Sequence, residues 1–189
     1  ASMQALPEFE RMFMDMRVGI EVVDVSSQAL PDFSVYETVV VLLTDLSPLK
    51  EEVLALASWV EQGGSAMFAL TLQKNTYVSL IEQKLGILYD NVLVDSIYFE
   101  PDFLLGGGVS YDVTDGYDSA WEVELGEQAK VCARVKDAAG TPLIWETDYG
   151  KGKFVVDNFG LCEKATRGLF AASYSLLTDV GVYPVINGS

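Results

Sequence analysis

Hydrophobic and polar residues alternate along this chain with two different periods, helical in the first half and strand-like in the second. Leu6, Phe9, Phe13 and Met16 stand at helical spacing and predict a helix over residues 6–17 with one apolar face. Residues 20–25 then predict a strand. Residues 38–43, Thr-Val-Val-Val-Leu-Leu, are apolar at nearly every position, the pattern of a strand covered on both faces in a parallel sheet. Ser47-Pro48 fits an N-cap followed by proline in the first helical turn, and Leu49, Val53, Leu56, Ala57 and Val60 give the helix behind it an apolar face. Gly63-Gly64 stops that helix. Residues 65–70 predict the next buried strand, and Tyr77, Leu80, Ile81 and Leu85 trace another helix that ends before Gly86. Strand and helix in short alternation predict right-handed crossovers on a parallel sheet.

Past residue 90 the apolar runs shorten and alternate. Residues 92–99, 109–113, 121–125, 129–135, 143–147 and 153–157 predict strands. Glycine-rich turns separate them: Gly106-Gly107-Gly108, Asp115-Gly116, Gly140-Thr141-Pro142 and Tyr149-Gly150-Lys151-Gly152. This is the pattern of an antiparallel meander. A last helix is predicted over residues 165–179, with Leu169, Phe170, Ser173, Leu176, Leu177 and Val180 on its buried face. The fold class expected is α/β: a three-layer, flavodoxin-like sheet with an antiparallel β extension in the second half, in one domain over residues 1–189. Doubly wound sheets open with a central strand, whereas this chain opens with a helix, so a further strand of a longer protein is expected upstream of Ala1.

Composition narrows the chemistry. Twelve Lys and Arg against 28 Asp and Glu give a net charge of −16 in 189 residues, and there is no histidine. Without imidazole there is no Ser-His or Cys-His nucleophile pair and no histidine-ligated metal. The negative charge repels phosphate backbones and anionic lipid surfaces, so neither nucleic acid nor membrane is an expected partner. Half of the residues are apolar, enough for a self-sufficient core. Cys132 and Cys162 are too few for a disulfide framework, and Cys132 stands in an alternating run where a thiol packs as a small apolar group.

Residues 38–70, "TVVVLLTDLSPLKEEVLALASWVEQGGSAMFAL", resemble the strand, helix and Gly-Gly turn leading into the next core strand of class I glutamine-amidotransferase-like domains. Residues 141–160, "TPLIWETDYGKGKFVVDNFG", resemble the late hairpin of the trehalose-utilisation-type and β-galactosidase-associated members of that superfamily. The terminal "VGVYPVINGS" resembles a junction in an uncharacterised bacterial family where such a domain precedes a polysaccharide-deacetylase-like module. Active amidotransferases carry a cysteine on a strand-to-helix elbow with histidine and glutamate behind it. Here the corresponding strand leads into Thr71-Leu72-Gln73, so no catalytic residue is carried over and no cofactor or metal is expected. The resemblance implies a non-catalytic accessory domain of a larger bacterial surface or secreted protein. Such a domain serves carbohydrate handling by binding glycan or by positioning a neighbouring domain of the same polypeptide.

Candidate ligand-binding residues fall in the acidic, aromatic stretch between Glu100 and Trp121. An exposed aromatic beside carboxylates binds sugar by stacking on its apolar face and accepting hydrogen bonds from its hydroxyls. Tyr111, Tyr117 and Trp121, with Asp115 and Asp118, make up the candidate site. Against this stands the ordinary packing of strand aromatics such as Tyr98, Phe99 and Phe103. Glu100 and Asp102 add to the acids here, but Asp112, Asp115 and Asp118, as Asp-x-x-Asp-x-x-Asp, lack the every-second-residue spacing of calcium loops. Tyr149-Gly150-Lys151-Gly152-Lys153 joins two predicted strands, which marks it as a hairpin and not a phosphate loop. The alternative reading is a hydrolase using Asp or Glu at the C-terminal edge of the sheet, near Asp45 and Thr71.

Overall fold

The computed structural model of the chain describes residues 2–69, 90–103, 107–113, 119–123, 125–137, 139–167 and 169–185. The helices are α1 (Ser2–Asp15), α2 (Lys50–Glu61) and α3 (Phe170–Asp179). The strands are β1 (Thr38–Val41), β2 (Ser65–Phe68), β3 (Asp90–Leu93), β4 (Ser96–Phe99), β5 (Ser110–Asp112), β6 (Ser119–Glu122), β7 (Ala129–Val135), β8 (Pro142–Tyr149) and β9 (Gly152–Asp157). Seven of them form one sheet in the order β1-β2-β9-β8-β7-β4-β5, and β3 pairs with β6 in a separate ribbon. β1, β2 and β9 run parallel; from β9 outward every neighbour is antiparallel. This is the expected three-layer α/β architecture, parallel at one end and antiparallel at the other.

The period of two along the strands creates the layers. Ala66 and Phe68 of β2, with Phe154 and Val156 of β9, face α2, where Val53, Leu56 and Val60 meet them. Met67 and Val155 point the other way, into a core with Phe9, Met12 and Met16 of α1 and Leu176 and Leu177 of α3. Each such fully buried side chain contributes about 1.5–3 kcal/mol by leaving water.

The three helices among the described residues stop in the same manner. After α2, Gly63 N–H donates to Val60 O and Gly64 N–H to Trp59 O; after α3, Gly181 N–H donates to Thr178 O and Val182 N–H to Leu177 O. After α1 the same pair of bonds runs from Arg17 to Met14 and from Val18 to Phe13. Gly63 and Gly181 take the positive φ this motif needs, and so does Arg17, at φ 57°.

Several local expectations are corrected. Residues 20–25 form no strand, because no described strand lies beside them to supply hydrogen bonds. Residues 92–99 divide at Val94-Asp95 into β3 and β4, which belong to different sheets. Ser47 does not cap α2: its N–H and hydroxyl go to Asp45 Oδ1, at 2.9 and 2.6 Å, and the helix begins at Lys50. The last predicted helix is a 3-10 turn over Cys162–Arg167 followed by α3, with Phe170 turned outward beneath Arg11. The helix predicted around residues 77–85 lies outside the described residues.

Candidate functional site

In sheets of this kind ligands collect at the C-terminal ends of the parallel strands. β9 ends there in Asp157, which is fully buried. Its Oδ1 accepts the backbone N–H of Phe159 at 3.2 Å and of Gly160 at 2.8 Å, and its Oδ2 accepts that of Leu161 at 2.7 Å. Burial pushes this carboxyl up to about 7, against the pull of Lys164 and the three N–H donors. Ser173 of α3 donates to Leu169 O at 2.8 Å and lies 3.3 Å from Leu161 O, which fastens the same turn to the helix. Asp157 is therefore committed to holding a turn. Asp45, at the end of the loop after β1, is likewise engaged by Ser47 and its carboxyl is held below the ordinary value by those bonds. Thr71 lies outside the described residues.

A second group of ionisable side chains gathers at the opposite end, where β8 meets the C-terminus of α3. On β8, Ile144 and Glu146 face α3 whereas Trp145 faces α2, so strand alternation places Glu146 inside. Glu146 meets Lys130 of β7 at 3.5 Å and Lys153 of β9 at 3.4 Å. Lys153 also donates to the Asp179 carbonyl and so caps the helix, where a cation is favoured. Asp179 offers a carboxylate to the same end, where the helix dipole disfavours it. Burial, together with Glu146 beside it, raises Asp179 to about 6, whereas Glu146 is held below its ordinary value by Asp179 and the two lysines in spite of its burial. A carboxylate oxygen of each lies within 4.8 Å of the other, and Asp179 Oδ2 is buried with no hydrogen-bond partner among the described residues.

Cys132 completes this cluster: its sulfur and a carboxylate oxygen from each acid lie within 4.8 Å of one another. Burial pushes its thiol up to about 12 and keeps it protonated, and two ammonium groups, Lys130 and Lys153, already lie against Glu146. The donor set therefore fits an internal ion-pair network better than a cation. The two carboxyls, with an oxygen of each within 4.8 Å of the other, also stand closer than the separation of about 5 Å or more that glycosidases keep. Cys162 is buried, its thiol raised well above the ordinary value by burial and by Asp157.

The sequence-predicted residues are dispersed by comparison. Tyr111 lies in β5 opposite Ile97, half-buried, with its ring edge-on to Phe99 at 5.6 Å. Trp121 lies in β6 opposite Asn91. Asp115, Tyr117 and Asp118 lie outside the described residues. Phe99 and Phe103 are buried and stacked at 5.2 Å, and Glu100 is paired with Arg134. Sequence reasoning missed Asp157, Glu146 and Asp179. A carboxylate directly after the apolar run Leu143-Ile144-Trp145, and an acid in the last turn of a helix, were the available signals.

Comparisons with solved structures locate the fold. An exo-β-1,4-mannosidase from Opitutaceae bacterium strain TAV5 superposes with a TM-score of 0.66 at 18% identity, covering 97% of this chain and 32% of that one. A β-galactosidase from Bacillus circulans sp. alkalophilus gives 0.70 at 16% identity, covering 100% of this chain and 29% of the enzyme. This chain thus spans about a third of the length of those two glycosidases. A cytoplasmic protein, STM1381, from Salmonella typhimurium LT2 gives 0.69 at 12% identity, covering 95% of this chain and 87% of that one. No curated protein matches the sequence. Residues 1–124 and 118–189 both match one family, so the chain belongs to the uncharacterised proteins conserved in bacteria grouped as DUF2194.

Proposed function

We propose that this domain is a non-catalytic accessory domain of a larger bacterial protein that processes polysaccharide outside the cell or at its surface. It contacts glycan through Tyr111, Tyr117 and Trp121, with Asp115 and Asp118 accepting from sugar hydroxyls. It thereby positions a neighbouring deacetylase-like module on its substrate. The observation that carries this reading is the state of Asp157. The carboxylate standing where such a fold would do its chemistry is buried and spent on three backbone N–H groups. The glycosidases that share the fold support the carbohydrate part of the reading, since there too it is one part of a longer chain.

The test is thermal unfolding with a panel of bacterial polysaccharide fragments. A fragment at 100 times its Kd stabilises the domain by about 2.7 kcal/mol. Trp121→Ala and Tyr111→Leu, the latter keeping an apolar group against Phe99, are expected to abolish the shift. No shift with any fragment, together with unchanged polymer turnover when the domain is removed from the parent protein, overturns the reading.

A further inference from the structure

Successive residues of β4 point to opposite faces of the sheet, and the two faces differ in kind. Ile97 and Phe99 are fully buried in the core beneath α1 and α3. Tyr98, between them, faces the α2 side. There α2 lies over β2 and β9, and β4 stands three strands beyond β9, about 14 Å away at about 4.8 Å per strand. A helix reaches only about 5–6 Å to either side of its axis, so α2 does not cover Tyr98.

Sequence pattern makes Tyr98 an ordinarily packed strand aromatic, and the structure corrects this. Tyr98 is half-buried and belongs to neither buried apolar cluster. Among the described residues it makes no ring contact and no side-chain hydrogen bond. Cross-strand register instead surrounds it with hydrogen-bonding groups. Ser110 of β5 and Arg134 of β7 stand opposite it on either side, and Asp112 stands opposite Ser96. Ser96 and Glu100 lie two residues away along the chain, on the same face. Neighbouring strands are about 5 Å away and same-face residues about 7 Å, so these side chains reach the hydroxyls of one sugar ring lying on the tyrosine.

The polar groups are also fixed in place. Arg134 donates to Glu100 through Nε and to the Gly140 carbonyl at 3.1 Å, and Ser96 donates to Asp112 Oδ1 at 2.8 Å. Groups held in this way are pre-oriented and lose little freedom when a ligand arrives. Charge then selects among sugars. The Arg134 guanidinium is already spent on Glu100 and the chain carries −16, so polymers of uronic acids are repelled. A neutral polyol meets only the ring and the hydrogen-bonding edges around it.

We propose that Tyr98 is the floor of a sugar subsite on the α2 side of β4, β5 and β7. It takes one residue of a neutral glycan, with Arg134 donating and Glu100 and Asp112 accepting at its rim. The subsite lies on the opposite face of the sheet from Tyr111, which pairs with Ile97. It deepens the glycan-binding reading and rests on it.

Calorimetric titration of the 189-residue chain with N-acetylchitohexaose, mannohexaose and oligogalacturonate tests this. At least one neutral hexamer is expected to bind, and the acidic oligomer is not. Tyr98→Leu keeps an apolar side chain on the strand and is expected to weaken binding about tenfold or more, whereas Tyr98→Phe keeps the ring and stays within about threefold. In the wild type the Tyr98 ring resonances are expected to shift as the hexamer is added, a readout that needs no variant to fold. Ring resonances that stay fixed, or full-affinity binding by folded Tyr98→Leu, overturn the subsite and leave glycan binding through Trp121 standing. Binding of neither neutral hexamer, or of oligogalacturonate alone, also overturns the subsite. The accessory role itself is decided separately, by polymer turnover of the parent protein with and without the domain.

Discussion

Glu146 and Asp179 face each other where β8 meets the end of α3, with a carboxylate oxygen of each within 4.8 Å of the other. The pair has a pH signature. Asp179 is raised from 3.8 to about 6, so the folded state holds its proton more tightly than the unfolded chain does. That contribution is complete below about pH 4 and is lost as pH rises through about 6. Glu146, held low, contributes in the opposite sense, and its part is lost as pH falls. Asp179→Asn keeps a neutral hydrogen-bonding group at every pH. Urea unfolding at pH 5 and pH 8 is expected to show this variant gaining on the wild type at pH 8 relative to pH 5. An equal difference at both pH values contradicts a raised Asp179 carboxyl.

Asp157 organises the turn after β9, and its replacement strands buried donors. Asp157→Ala leaves the N–H groups of Phe159, Gly160 and Leu161 without their acceptor. The expected loss is about 3 kcal/mol or more, because each buried unsatisfied donor costs about 1–3 kcal/mol. Asp157→Asn retains one acceptor oxygen and is expected to lose less. Equilibrium unfolding of the two variants reads the difference.

Arg17 stands after α1 where Gly63 and Gly181 stand after α2 and α3. A side chain in the left-handed region costs about 1–2 kcal/mol, which glycine avoids. Arg17→Gly is therefore expected to raise the stability of the domain by up to that amount, less the entropy glycine adds to the unfolded chain. A denaturation midpoint equal to or below that of the wild type would show that the Arg17 side chain contributes more than its backbone costs.

Gly152 is a position where no side chain fits. A Cβ there would lie 2.1 Å from Gly64 O and 2.2 Å from Val60 O, both backbone atoms. Gly152→Ala is expected to push the β8–β9 hairpin off the end of α2 and to destabilise the domain by about 1–3 kcal/mol. The loss is measurable as a fall in Tm.

The two thiols are expected to be silent in the native state. Cys132, pushed up to about 12, and Cys162, higher than its ordinary value, are both buried and protonated. A thiol-specific disulfide reagent at pH 8 is expected to label neither until denaturant is added. Rapid native labelling of one of them would place a reactive group at the site.

The layered architecture was legible because each strand of the parallel half is apolar on both faces, and only a helix-covered sheet accepts Val39, Val40 and Val41 in succession. The hairpin at Gly150-Lys151 was legible from its glycines. Residues 20–25 misled for a tertiary reason: Ile20 and Val22 alternate as a strand does, but pairing depends on a neighbour that local pattern does not reveal. The helix predicted over residues 165–179 begins only at Phe170, after a 3-10 turn over Cys162–Arg167. The site was the least legible part. Glu146 and Asp179 are separated by a strand, a turn and a helix, and their proximity is a product of the fold alone.

Turnover by the isolated domain tests the central claim most directly. Purified residues 1–189 are incubated with bacterial polysaccharide fragments and with glutamine, and released reducing ends, acetate and ammonia are measured. The account predicts no product from the domain alone, with polymer turnover confined to the parent protein. Product formation that disappears in Glu146→Gln or Asp179→Asn would contradict it and make the carboxyl pair catalytic.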